Sequence, residues 1–279
     1  MRAARALAVV FVAFAAARAP AADWEGPVFD AHLHYNEEAT GPYPVGTVME
    51  LFAKSGVKAI LANSRPNDGT RALLEANRRS PRPGFSVVPF IRVYRDRRDY
   101  GTWHANPDVA AMIEEEAKRG YYRGVGEFHL NGRDAANPVV KRIVDFAVAR
   151  GFILHAHCDE EALEILFAHN PKARVIWAHT GFSTPLARLE ELFARYPQLW
   201  GELSYRGDVE EGGRLAPAWK AFFAKHPRRF LVGSDTWVNE RWASYPATLG
   251  TYRKWLGELA PEVAERIAWK NGAELFGLE

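Results

Sequence analysis

His32 and His34 stand two residues apart in Val-Phe-Asp-Ala-His-Leu-His, residues 28–34. Side chains alternate along a strand, so both imidazoles project from one face, and such a pair at a strand end can chelate one divalent ion. Four later apolar segments each end in a residue of similar capacity: Gly-Val-Gly-Glu127, Phe-Ile-Leu-His155-Ala-His157, Val-Ile-Trp-Ala-His179 and Phe-Leu-Val-Gly-Ser-Asp235. This donor set is imidazole and carboxylate, with no thiolate cluster. It suits zinc, manganese, iron or cobalt and leaves room for a bound water. A metal lowers the pKa of such a water towards ~7, and Asp235 could both bind the ion and take the proton.

Those residues can meet only if a closed sheet brings strand ends together. Apolar runs at 27–32, 57–63, 85–92, 123–128, 151–157, 173–179, 199–204 and 229–234 are expected to be strands. Amphipathic stretches at 44–55, 68–79, 107–120, 137–150, 159–169, 184–196 and 215–226 are expected to be helices, with a last helical region over 246–276. Asn67-Asp68, Asn106-Pro107, Asn137-Pro138 and Ser183-Thr184-Pro185 supply helix starts, and Gly56, Gly120 and Gly151 supply ends. Strands alternating with helices form βαβ units, and eight such units favour a (β/α)8 TIM barrel. Active sites of that fold lie at the C-terminal strand ends, where the proposed ligands sit. No Gly-x-Gly-x-x-Gly follows the first strand, so a dinucleotide site has no support.

Arg2 and Arg5, an apolar run over 6–17 and Ala-Arg-Ala-Pro-Ala-Ala form a signal-peptide pattern. Residues 1–21 are therefore expected to be removed on export, with the bacterial periplasm as destination. The run is too short for a bilayer-spanning helix, which needs ~20 residues, so stable membrane association is not expected. Removing Arg2, Arg5 and Arg18 moves the formal charge from +2 to −1, which argues against nucleic acid as a partner. Residues 22–279 suit one barrel domain of typical size, ~250 residues. A lone cysteine, Cys158, allows no internal disulfide, and strand alternation points it away from His157. A small-molecule substrate is expected, and a homo-oligomer is left open.

The chain resembles the amidohydrolase superfamily, in its amidohydrolase-related (type 2) branch of metal-dependent hydrolases. The resemblance rests on Asp30-Ala-His32-Leu-His34, Gly126-Glu127, Leu154-His155-Ala-His157-Cys-Asp159, Trp177-Ala-His179-Thr-Gly181 and Gly233-Ser-Asp235-Thr236. It implies that His32 and His34 bind the first metal. It implies that the strand-5 and strand-6 histidines, His155 or His157 and His179, are ligands or touch substrate, and that Asp235 is ligand and base. Strand 4 carries no lysine, so a carboxylated-lysine bridge is not expected. Glu127 stands there, as a glutamate does in TatD-type nucleases, and keeps one or two ions open. His157 is preferred to His155 because it lies nearer the strand end, before a helix cap at Asp159.

His179 and Asp235 are the catalytic candidates. Arg206, Arg92 and Trp237 are candidates for substrate contact, the arginines as carboxylate clamps. Arg65, Tyr94 and Tyr205 lie at neighbouring strand ends, and Trp237 and Trp242 follow Asp235 in a loop that could cover the site. The expected function is hydrolysis of a small amide, ester or lactone with a divalent ion, zinc first and manganese or iron as alternatives. A metal-dependent non-oxidative decarboxylase and a non-catalytic exported binding protein are the alternatives. Arginines near the pocket would favour the decarboxylase.

Overall fold

Apolar runs rich in β-branched and aromatic residues form the strands, and their near-complete burial is what a parallel sheet covered on its outer face requires. The computed structural model describes residues 22–278, so the expected signal peptide lies outside the described residues. Seven strands come in order: β1 (Val28–Leu33), β2 (Val57–Ala62), β3 (Ser86–Ile91), β4 (Gly124–Leu130), β5 (Ile153–Cys158), β6 (Val175–Trp177) and β7 (Leu199–Glu202). A small antiparallel hairpin, β8 (Glu210–Glu211) and β9 (Arg214–Leu215), precedes β10 (Phe230–Leu231). The sheet order is β1-β2-β3-β4-β5-β6-β7-β10, all parallel. The ring is nearly closed by two backbone bonds, Ala31 N–H to Val232 O at 2.9 Å and Asp235 N–H to His32 O at 2.6 Å. The expected TIM barrel is therefore the observed fold.

The helices are α1 (Glu37–Thr40), α2 (Val45–Lys54), α3 (Asp68–Arg79), α4 (Pro107–Ala117), α5 (Pro138–Arg150), α6 (Glu160–His169), α7 (Leu186–Arg195), α8 (Pro217–Lys225), α9 (Asn239–Ala243), α10 (Tyr245–Gly257), α11 (Pro261–Glu265) and α12 (Asn271–Phe276). Asn106, Asn137 and Asp159 cap α4, α5 and α6 by accepting backbone N–H bonds. Asn67 does not cap α3: its side chain pairs with the backbone of Arg92, accepting from N–H at 2.8 Å and donating to the carbonyl at 3.2 Å. The expected helix over 246–276 is divided, because Pro261 opens a new helix and a π turn at Arg266–Lys270 precedes α12.

Phe29, Ala31, Leu61, Val88, Phe90, Ile153, Ile176 and Leu231 fill the barrel. Phe276 of α12 plugs its N-terminal mouth, stacking on Phe29 with ring centroids 5.7 Å apart. Two irregularities set the site above this plug. In β1 the pairing register slips between Asp30 and Leu33. Phe29 and Ala31 face inward, Leu33 packs on the outer layer, and the slip lets His32 and His34 face inward as well. In β4 the register slips between Gly126 and Phe128, so that Glu127 faces inward while Val125 and Phe128 pack outward. Gly126 has φ 130° and lies against β5, where a Cβ would collide with the His155 carbonyl. Gly126→Ala is expected to cost roughly 2–4 kcal/mol, read by urea unfolding, because steric clash and backbone strain act together.

Candidate active site

His32 Nδ1 lies 2.8 Å from Glu202 Oε2, and His34 Nδ1 lies 2.7 Å from the Asn63 carbonyl oxygen. Carboxylate and carbonyl oxygens accept, so each ring carries its proton on Nδ1 and turns an Nε2 lone pair inward. The two Nε2 atoms are 3.1 Å apart. Asp235 Oδ1 lies 3.4 and 3.1 Å from them, and Glu127 Oε2 lies 3.5 and 3.2 Å from them. His32 Nε2, His34 Nε2 and Asp235 Oδ1 therefore stand 3.1–3.4 Å from one another, with Glu127 Oε2 beside the two nitrogens. Tetrahedral ligands ~2.05 Å from an ion stand ~3.3 Å from one another, so the His32, His34 and Asp235 donors fit a divalent cation.

Glu127 turns its other oxygen to a second group. Its Oε1 lies 2.9 Å from His157 Nδ1 and 3.7 Å from His179 Nε2. His179 Nδ1 donates to the Ser204 carbonyl at 2.9 Å, which leaves Nε2 free to face Glu127. Asp235 Oδ2 approaches the same nitrogen at 4.0 Å. The two oxygens of Glu127 thus serve two clusters, the arrangement a carboxylate needs to touch two ions.

The electrostatics follow from packing acids and imidazoles out of water. Burial alone would lower the pKa of His32, but Asp235, Glu127 and Glu202 raise it well above the ordinary histidine range. Burial would raise Glu127, but His32 and the Arg92 guanidinium hold it well below the ordinary carboxylate range. Asp235 behaves likewise, held at about 2 by His32 and His34 against the effect of burial. The cluster stabilises positive charge at His32.

Above this floor opens a cavity of about 330 Å³ lined by Arg92, Tyr100, Glu127, His129, His157, His179, Phe182, Tyr205, Asp235 and Trp237. Among the described residues, non-glycine residues with positive φ are His179, Thr180, Phe182, Tyr205 and Asp235. All five lie beyond the C-terminal ends of β6, β7 and β10, and four of them line the cavity. Left-handed backbone disfavours side chains of this bulk, and such strain gathers where function over-determines conformation.

Most of the sequence candidates meet here. His32, His34, Glu127, His179 and Asp235 converge, and His157 and Trp237 stand in the cavity wall. His155 lies below, fully buried with its ring 4.4 Å from that of His32 and with no hydrogen-bond partner on either nitrogen. Arg92 reaches the wall and is engaged through Nη1, which lies 3.1 Å from Glu127 Oε2 and donates to Asn63 Oδ1 at 2.5 Å, while its Nε is buried without a partner. Arg206, expected to contact substrate, is outside the cavity wall. It bonds Asp208 and the carbonyls of Thr180 and Thr184, and so ties the β6 and β7 loops together. Trp242 is buried beneath the rim against Tyr35 and Tyr245, while Cys158 packs in the outer layer.

Glu202 and Asn63 escaped the sequence reading. Glu202 is fully buried behind His32 and also accepts Ser204 N–H at 2.5 Å. Asn63 holds His34 with its carbonyl, and its Oδ1 accepts from both Arg92 and the Glu127 N–H. The available signal was a charged residue on the inward phase of an otherwise apolar strand, Leu199–Leu203.

A family model described as amidohydrolase matches residues 11–278. Among solved structures, a Pseudomonas putida protein with a suggested 2-pyrone-4,6-dicarboxylic acid hydrolase activity aligns with TM-score 0.59 at 15% identity, over 90% of this chain and 98% of its own. A Burkholderia multivorans amidohydrolase with bound zinc aligns with TM-score 0.56 at 18% identity, over 91% of this chain and 100% of its own. A TatD-family hydrolase from Entamoeba histolytica gives TM-score 0.57 at 7% identity, over 94% and 100%. At these identities the likeness is one of fold. No curated protein is similar enough to count as a relative.

Proposed function

This chain belongs to the amidohydrolase family, and from that premise we propose that it is a zinc-dependent hydrolase of a small amide, ester or lactone, exported once residues 1–21 are removed. The observation that carries the proposal is the convergence of His32 Nε2, His34 Nε2 and Asp235 Oδ1 at 3.1–3.4 Å beneath an open cavity, with Glu127 Oε2 at 3.2–3.5 Å from the two nitrogens. His32, His34, Asp235 and Glu127 would hold one ion. Glu127 with His157 and His179 would hold a second. The Burkholderia relative described with bound zinc supports the choice of metal. A divalent ion held there supplies Lewis acidity, which polarises a carbonyl and acidifies water.

The rest of the chemistry falls to the side chains. Asp235 accepts the proton of the attacking water as the water oxygen bonds to the carbonyl carbon. It returns that proton to the leaving oxygen or nitrogen as the acyl bond breaks, giving acid plus alcohol or amine. His179 Nε2, at the cavity wall, is placed to position the carbonyl group. Glu202 fixes the tautomer of His32, and Asn63 fixes that of His34. The decarboxylase alternative loses Arg206, which is committed elsewhere, and would rest on Arg92 alone. The non-catalytic binder gives no role to the converging lone pairs.

Elemental analysis of the purified protein, made without chelator or a metal-binding tag, tests the premise. One or two equivalents of zinc support it, and a metal-free protein after incubation with added ions sinks it. Glu202→Gln is expected to weaken zinc binding about 10–100-fold, because the outer carboxylate no longer holds the His32 ring. Competition with a chromophoric chelator reads that change.

A further inference from the structure

We propose that the cavity selects a flat, aromatic substrate over an aliphatic one, an inference that rests on the hydrolase reading above and names its substrate class. The exposed large hydrophobic residues among the described ones are Phe182, Tyr205 and Trp237, at 44, 46 and 54%. All three stand at the mouth of this one cavity, on three different loops, after β6, β7 and β10. Solvent disfavours rings there, and backbone conformation disfavours two of them, since Phe182 has φ 54° and Tyr205 has φ 53°. Trp237 Nε1 donates to the Tyr205 hydroxyl at 2.9 Å, which joins two of the rings into one edge. Phe182 lies over His179, centroids 4.3 Å apart, and beside His157 at 5.1 Å. Tyr100 closes the wall, stacked on Tyr94 at 4.1 Å. Walls made of ring faces and edges favour a planar guest in stacked or edge-on contact. A cavity of about 330 Å³ is at the small end for ligand sites, which limits the guest to one or two rings.

The test compares two neutral lactones on the zinc-loaded protein: dihydrocoumarin (aromatic) and δ-valerolactone (aliphatic). Hydrolysis is followed in a pH-stat, and binding by calorimetric titration of zinc-loaded Asp235→Asn. Dihydrocoumarin is expected to exceed δ-valerolactone by about 10-fold or more in kcat/KM and to bind about 10-fold tighter, the scale of aromatic contacts. Trp237→Ala is expected to raise its KM about 10-fold, with kcat within about twofold, and so to narrow the gap to δ-valerolactone. Equal or better binding of δ-valerolactone overturns the inference, as does a Trp237→Ala preference unchanged from wild type. If neither is hydrolysed while the binding order holds, the hydrolase reading fails and the selectivity stands. Hydrolysis with the order reversed does the opposite, and neither hydrolysis nor binding overturns both.

Discussion

Asp235→Asn is expected to lower kcat by about 10³-fold or more while the protein keeps its fold. Asp235 is the residue whose two oxygens face both halves of the site. Oδ1 lies 3.4 and 3.1 Å from the Nε2 atoms of His32 and His34, and Oδ2 lies 4.0 Å from His179 Nε2. The carboxylate is held at about 2 by His32 and His34, although burial opposes this, so it is ionised throughout any neutral assay. Asparagine has the same shape but accepts no proton at neutral pH. Its backbone also suits the position, because Asn tolerates the left-handed φ of 47° and retains the N–H bond to the His32 carbonyl. Turnover and metal content should be measured on the same preparation. Loss of rate with zinc retained assigns the proton transfer to Asp235. Loss in proportion to zinc leaves it a ligand only, and wild-type turnover removes it from the chemistry.

How far the sequence carries this site depends on what each residue must do. A strand ending in His, Glu or Asp after an apolar run is legible one-dimensionally, because burying such a group is costly unless it has a partner. That logic located β1, β4, β5, β6 and β10 and the residues His32, His34, Glu127, His179 and Asp235. Simple alternation also put His32 and His34 on one face, but it did not anticipate the slip that turns them inward beside Ala31. The slip depends on pairing with β2, a long-range property. Arg206 shows the opposite error. Its position at a strand end fitted a substrate clamp, yet three-dimensional neighbours, the Thr180 and Thr184 carbonyls, claim its donors. Glu202 was hidden for a related reason. It acts through His32, 170 residues away in the chain, and no local spacing announces that contact. Asn63 is harder still, since half of its work is done by its backbone carbonyl.

Stripping the metal is expected to lower the melting temperature by about 8–15 °C and to abolish turnover, both restored by zinc. The reason lies in the charge of the floor. Glu127, Asp235 and Glu202 are buried together, and among the described residues Arg92 is the one guanidinium paired with their carboxylates. Two inward Nε2 lone pairs 3.1 Å apart add to the repulsion. An ion that binds the folded state alone stabilises it by RT ln(1 + [L]/Kd), about 4 kcal/mol at a thousandfold excess over Kd. At ~2–4 °C per kcal/mol for a chain of this size, that gives the shift stated. The same charge draws a proton, and the three carboxylates raise His32 well above the ordinary histidine range. The His32→Ala/His34→Ala variant separates metal loss from general damage. Its melting temperature should not respond to chelator or to added zinc, whereas the wild type responds to both. If the wild type melts identically with and without chelator and carries no metal, the lone pairs meet no ion in solution. The hydrolase mechanism then loses its source of activated water, and the aromatic cavity would stand as a binding site alone.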